Sequence, residues 1–210
     1  MTISQIKKEA LRLMGVVGRE IEDVPIATLE GESAYAPYLR RMTGAINRAL
    51  ADLERRMALT PVRLDVAYGE WRHAGVSSRL TLGEDVYGVL CVLAEDEAGQ
   101  ISDLPFVAAG KELIVARLDT GASAAVLYSP RVRAVEAGEE SVVPAHVPET
   151  LLSLIPYFIK EELYFEEEPN EALRAGTVWS SGVESYLATR DLGGSIGVRR
   201  VGTVYAWEEV

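Results

Sequence analysis

The residues best suited by type to do chemistry are Asp119, Thr120, Gly121 and Ala122, which follow an apolar run at 113–118. An aspartate in a glycine-containing loop after an apolar strand can present its carboxylate. If a second copy of the chain brought its own Asp119 alongside, one carboxyl would stay protonated while the other activated water. The same four residues equally suit a short hairpin between strands at 112–118 and 123–128, because Asp, Thr and Gly are favoured in turns on φ/ψ grounds. The two histidines, His73 and His146, lie in separate turn regions with no partner at metal-ligand spacing, and read as surface or hydrogen-bonded residues. Cys91 sits in the most apolar run of the chain, where a thiol is more often inert than nucleophilic. Glu161, Glu162, Glu166, Glu167 and Glu168 lack the glycine and asparagine spacing of a calcium loop and read as a solvated helix end. These observations assign no catalytic residue, no metal and no cofactor, and the expectation is a protein that is not an enzyme.

The elements that must position these residues are led by the stretch 35–57. Tyr35, Tyr38, Leu39, Met42, Ala45, Ile46, Ala49, Leu50, Leu53 and Met57 recur at steps of three and four, which predicts one long amphipathic helix. Arg40, Arg41, Arg48, Asp52, Arg55 and Arg56 fall on its other face. Pro37 suits the opening turn, and Pro61 stops the helix. Before it, Ser4 is a candidate cap for a first helix carrying Ile6, Ala10, Leu13, Met14 and Val17, and 20–33 reads as a polar connection, locally extended at Val24-Pro25-Ile26.

After Pro61 the period changes to two. Val62, Leu64, Val66 and Tyr68 alternate with polar or small residues, and Val89 to Leu93 form a continuous apolar run expected of a strand covered on both faces. Helical period returns at Pro148 with Leu151, Leu152, Ile155, Phe158, Ile159, Glu162 and Leu163, and Pro156 marks a kink or delayed start. Asn170 is a candidate cap for a last helix with Ala172, Ala175, Val178, Trp179, Gly182 and Tyr186 inward. A tail follows from Arg190, with Gly193-Gly194 as a hinge.

The expected fold is therefore α+β: a four-helix bundle formed by N- and C-terminal helix pairs (1–60 and 148–190), an inserted antiparallel β-sandwich or barrel module (61–147), and an extended C-terminal arm (191–210). With 210 residues, 48% hydrophobic and 25% charged, the chain can bury a sizeable core. A formal net charge of −11 makes a protein that grips nucleic acid by its phosphates an unfavourable reading. One cysteine excludes an internal disulfide, and no apolar run approaches the roughly 20 residues of a membrane span.

Two resemblances bear on function. Asp119-Thr120-Gly121-Ala122 resembles the signature of retropepsin-like aspartic proteases, which implies a homodimeric hydrolase using Asp119. The supporting apolar-apolar-Gly segment of that family has only Ser195-Ile196-Gly197 as a counterpart, and two long helices follow where that family is nearly all β. The wider layout is similar to phage head-to-tail connectors of the tail tubular protein A type (adaptor or head-completion proteins). The likeness runs from about residue 3 to 186 and includes Ala10-Leu11-Arg12-Leu13-Met14-Gly15, Ile46-Asn47-Arg48-Ala49-Leu50, and Glu167-Glu168-Pro169-Asn170-Glu171-Ala172. Its most specific piece is the Val-Pro-x-x-x-Leu-x-Gly segment at 24–31.

That resemblance implies a structural virion protein in the neck of a bacteriophage, assembled in the host bacterial cytoplasm. Copies would form a homo-oligomeric ring, usually dodecameric, between the portal protein and a tail, stopper or nozzle protein. DNA would pass through its lumen without specific binding, and no membrane is involved. The interface candidates are Ile196, Val198, Val201, Val204, Tyr205 and Trp207 for an axial contact. Arg40, Arg41, Arg48 and Arg55 are the candidates for contact with a neighbour's acidic cluster at 161–168.

Overall fold

A computed structural model describes residues 1–15, 24–32, 35–96 and 99–193. Helix α1 (Ile3–Leu13) is capped by Thr2, whose hydroxyl accepts from the Gln5 amide while the Gln5 side chain accepts from the Thr2 amide. Ser4, the expected cap, thus lies inside the helix, two residues after the actual cap. Ile3, Ile6, Ala10 and Leu11 form the buried face. Of the three residues expected to be extended, Val24 and Pro25 precede and Ile26 opens a short helix, α2 (Ile26–Glu32), whose first turn is closed by the Pro25 carbonyl accepting from the amides of Thr28 and Leu29.

Helix α3 (Ala36–Arg55) carries Pro37 in its first turn and buries Leu39, Met42, Ala45, Ile46, Ala49, Leu50 and Leu53, the stripe that the spacing dictates. Pro61 does not end it. The Ala58 amide donates to the Leu53 carbonyl and the Met57 amide to the Glu54 carbonyl, with Met57 at φ 53°. This pair of bonds closes the helix one turn before the proline.

Among the described residues, eight strands follow. β1 (Val62–Val66), β8 (Ser123–Pro130), β4 (Val86–Glu95) and β5 (Ile101–Asp103) form one antiparallel sheet in the order β1-β8-β4-β5. β2 (Arg72–Ala74), β3 (Ser77–Thr81), β7 (Glu112–Ala116) and β6 (Phe106–Ala109) form the other, in the order β2-β3-β7-β6. The sheets share a core of Val66, Trp71, Leu80, Val92, Leu113, Val115, Leu118, Ala124 and Val126.

Three local expectations change here. β7 and β8 are not a hairpin, since they belong to different sheets. The turn at Asp119, with Gly121 at φ 90°, carries the chain from one sheet to the other, and buried Leu118 and Ala122 anchor its two ends. β1 is an edge strand, so of its apolar alternation only Val66 is buried and Leu64 stays 40% exposed. Val89, Leu90 and Leu93 in β4 are only half-buried, so that strand is not covered on both faces.

The remaining helices are α4 (Glu149–Leu152), α5 (Ile155–Tyr164) and α6 (Pro169–Gly193). Pro156 falls in the first turn of α5 and separates it from α4. The Ala172 amide donates to the Glu168 carbonyl, which starts α6 before Asn170 can act as its cap. α6 also runs through Arg190 to Gly193, past the expected start of the tail. Val178, expected inward, is 40% exposed, and Val183 is buried in its place.

The four-helix bundle with an inserted barrel does not form. The chain is a mixed α and β protein with two separate four-stranded antiparallel sheets and mostly short helices. The physical reason lies in α5. It has 10 residues, about 15 Å, against 20 in α3 and 25 in α6, so it cannot line either over its full length. α1, α3 and α6 each pack on this short element, which gathers the helical core of Ile6, Leu39, Ile46, Leu53, Ile155, Ile159 and Trp179.

Candidate functional site

The outer face of the β1-β8-β4-β5 sheet holds an open cleft of about 440 Å³. Register explains its shape. Asp65 stands opposite Ala125, Ala125 opposite Leu93, and Leu93 opposite Asp103, while Glu95 stands opposite both Ser123 and Ile101. Small Ala125 and Ser123 on the middle strand form a low floor, and Arg63, Leu93 and Ile101 stand up around it. Arg63 Nε lies 2.7 Å from Asp65 Oδ1, and Glu70 Oε2 accepts from the Ala67 amide at 2.7 Å. Asp65, Glu70 and Glu95 therefore set three carboxylates against one guanidinium, so the cleft suits a cationic or strand-like ligand over an anionic one.

Asp119 lies exposed in the crossing turn, with its backbone carbonyl accepting from the Ala122 amide at 3.1 Å. Cys91 is buried on the same outer face as the cleft, and burial, followed by the nearby Asp103, pushes its thiol pKa up. A raised thiol is a weaker nucleophile at neutral pH. His73 is fixed inside the fold. Its Nε2 lies 3.0 Å from the Tyr68 carbonyl and its Nδ1 2.8 Å from Ser78 Oγ, and its ring stacks on Tyr68 at 4.1 Å. The carbonyl can only accept, so Nε2 donates. The Ser78 hydroxyl, fully buried, accepts from the Leu118 amide at 3.0 Å. The Ser78–Leu118 bond ties β3 to the turn after β7, and the His73–Ser78 contact ties β2 to β3. His146 stands exposed at φ 61°, with its carbonyl accepting from the Thr60 amide. Among the described residues, no group of three or more His, Cys, Asp or Glu side chains is placed to hold a metal ion.

The interface candidates fall into two groups. Ile196, Val198, Val201, Val204, Tyr205 and Trp207 lie outside the described residues. Of the arginines, Arg40 and Arg41 are exposed, whereas Arg48 pairs with Glu162 and Arg55 with Asp52 inside the same chain. The acidic turn after α5 is also tied to α3 within the chain. The Tyr38 hydroxyl donates to the Glu167 carboxylate, and this bond, with burial and the Glu167 charge, pushes the Tyr38 pKa up to about 12. Arg41 pulls the other way. The charges expected to meet across neighbouring copies are thus partly satisfied at home.

Helical spacing missed one cluster. Asp52 falls off the apolar stripe, yet it is only 6% exposed. Its carboxylate accepts from Arg55 at 2.5 Å, Arg56 Nε at 2.8 Å and the Trp179 indole N–H at 3.3 Å. Arg55 and Arg56, three and four residues on, are the available signal. Glu161 lies close by, and burial, then Asp52 and Glu162, raises its pKa. Arg190 is a second missed contact: its guanidinium donates to the carbonyls of Met57 at 2.8 Å and Leu59 at 3.4 Å, fixing α6 beside the start of β1. No described helix is long and apolar enough to cross a membrane. The chain matches no protein-family model and no curated protein.

Proposed function

We propose that this chain is a structural virion protein, a phage head-to-tail connector whose copies form a ring joining the portal to the tail machinery and extending the DNA channel. The observation that carries this reading is the place of the segment on which the resemblance rests. Residues 26–31 of this segment lie in helix α2, which packs on α3 with Ile26 buried. The motif therefore has a packing role against the longest N-terminal element.

The overall charge supports a conduit. A formal net charge of −11 disfavours retention of phosphate backbones along a lumen. Arg40 and Arg41 remain available for a neighbour, in the heterologous contacts a cyclic ring uses. Residues 196–207 are the candidate for the axial contact with the portal, and the neck of the virion, assembled in the bacterial cytoplasm, is the proposed location.

Light scattering on the purified chain, alone and mixed with the portal protein of its own virus, tests the reading. A ring-sized species, free or on mixing, is expected. A monomer or dimer indifferent to portal refutes it, as does tight, salt-sensitive DNA binding by the assembled ring. Asp119→Asn is expected to leave assembly unchanged.

A further inference from the structure

The free edge of β1 and the acidic cleft beside it lie close to where the described chain ends. β1 pairs with β8 on one side only, and Arg63, Leu64 and Asp65 are all exposed along its length. An unpaired edge of this kind offers a row of backbone donors and acceptors to an added strand. Arg63 and Asp65, which would otherwise discourage such pairing, neutralise each other at 2.7 Å. The Arg190 contacts to Met57 and Leu59 then place the end of α6 a few residues from Val62, at the beginning of this edge.

We infer that this edge and cleft are the docking site for the chain's own residues 194–210. Reach is ample: 17 residues span up to about 56 Å when extended, against about 17 Å for the five residues of β1. The chemistry is complementary. Arg199 and Arg200 stand between Val198 and Val201, and the cleft sets Asp65, Glu70 and Glu95 against a single guanidinium, beside apolar Leu93 and Ile101. Successive side chains of a strand point to opposite faces, so either register turns one of the two arginines toward the carboxylates. The tether favours the chain's own segment over another copy's, because its effective concentration reaches the millimolar range. The inference concerns the free subunit and stands without the ring reading; an axial contact with the portal by residues 196–207 would require this segment to leave the edge.

Disulfide trapping on the full chain tests it. With Cys91→Ala removing the native thiol, Leu64→Cys on the β1 edge itself is paired with Val201→Cys and oxidised in dilute solution. An intrachain disulfide at monomer mass is expected. Arg199→Glu with Arg200→Glu is expected to slow its formation about tenfold, roughly the loss of one charge-assisted contact. Adding Glu95→Arg to that double variant is expected to restore much of the rate. A disulfide at dimer or larger mass assigns the site to another copy's segment and overturns the inference. So does no disulfide, or an intrachain disulfide indifferent to the charge reversals, which a free tether would give.

Discussion

Replacing Asp52 by alanine removes the acceptor shared by three donors, and their exposure sets the size of the effect. Arg55 is 74% exposed at its side chain, so water replaces its partner and screens the pair, and little is lost there. The Arg56 side chain is 33% exposed and can also turn toward solvent, at a modest cost. Trp179 is different. It is 2% exposed, held edge-on by Phe158 at 5.2 Å, and its indole N–H has no other acceptor among the described residues. Orphaning that donor costs about 1–3 kcal/mol. The total for Asp52→Ala is then about 2–3 kcal/mol, or a fall in Tm of about 5–10 °C for a chain of this length. Urea denaturation followed by fluorescence, with Trp179→Phe and the double variant completing a cycle, measures it. A coupling of about 1 kcal/mol between the two positions is expected. A loss for Asp52→Ala no larger than that for Arg55→Ala refutes the reasoning, because the exposed pair would then account for the whole effect.

Three further outcomes follow from named contacts. Asn47 binds Val135 twice, accepting from its amide at 2.8 Å and donating to its carbonyl at 3.0 Å, and Val135 is buried. Asn47→Ala is expected to lower stability by about 2 kcal/mol, and chemical denaturation showing a change under about 0.5 kcal/mol contradicts this. Glu167→Gln is expected to bring the Tyr38 pKa down from about 12 toward its ordinary 10, read by ultraviolet absorbance titration. Glu161 has a raised pKa in the folded protein, so its ionised form is disfavoured there. Stability from this group is full below the ordinary value of 4.5 and is lost as pH rises through the raised folded value. Glu161→Gln is therefore expected to melt above the parent at pH 7 and level with it below about pH 4; the reverse order contradicts the assignment.

Sequence showed most where burial is periodic and local. The stripe from Leu39 to Leu53 needs only the helical repeat to be seen, and the structure buries those residues. It showed least where a partner lies far along the chain. Asp52 reads as solvent-facing until Trp179, 127 residues later, supplies the reason for its burial. Asp119-Thr120-Gly121 reads as a hairpin because turn chemistry is the same whether the chain reverses within a sheet or crosses to another; the choice belongs to β3 and β4, which claim β7 and β8 separately. The bundle expectation failed for a similar reason: stripes reveal that helices need partners, but not that ten-residue α5 is the partner that α1, α3 and α6 share. The cleft had no signature at all, since Asp65, Glu95 and Ile101 meet only through strand register.

The shared role of α5 also has a consequence for how the protein is made. α1 and α3 leave the ribosome with their apolar stripes complete, yet Ile155, Ile159 and Trp179, which cover them, come about a hundred or more residues later. At about 5–20 residues per second that interval is on the order of 5–25 seconds. During it the nascent chain carries an uncovered helix of 20 residues, while the sheets between can already be pairing. The helical core closes last, and the interval before it does is when a holding chaperone would find its target.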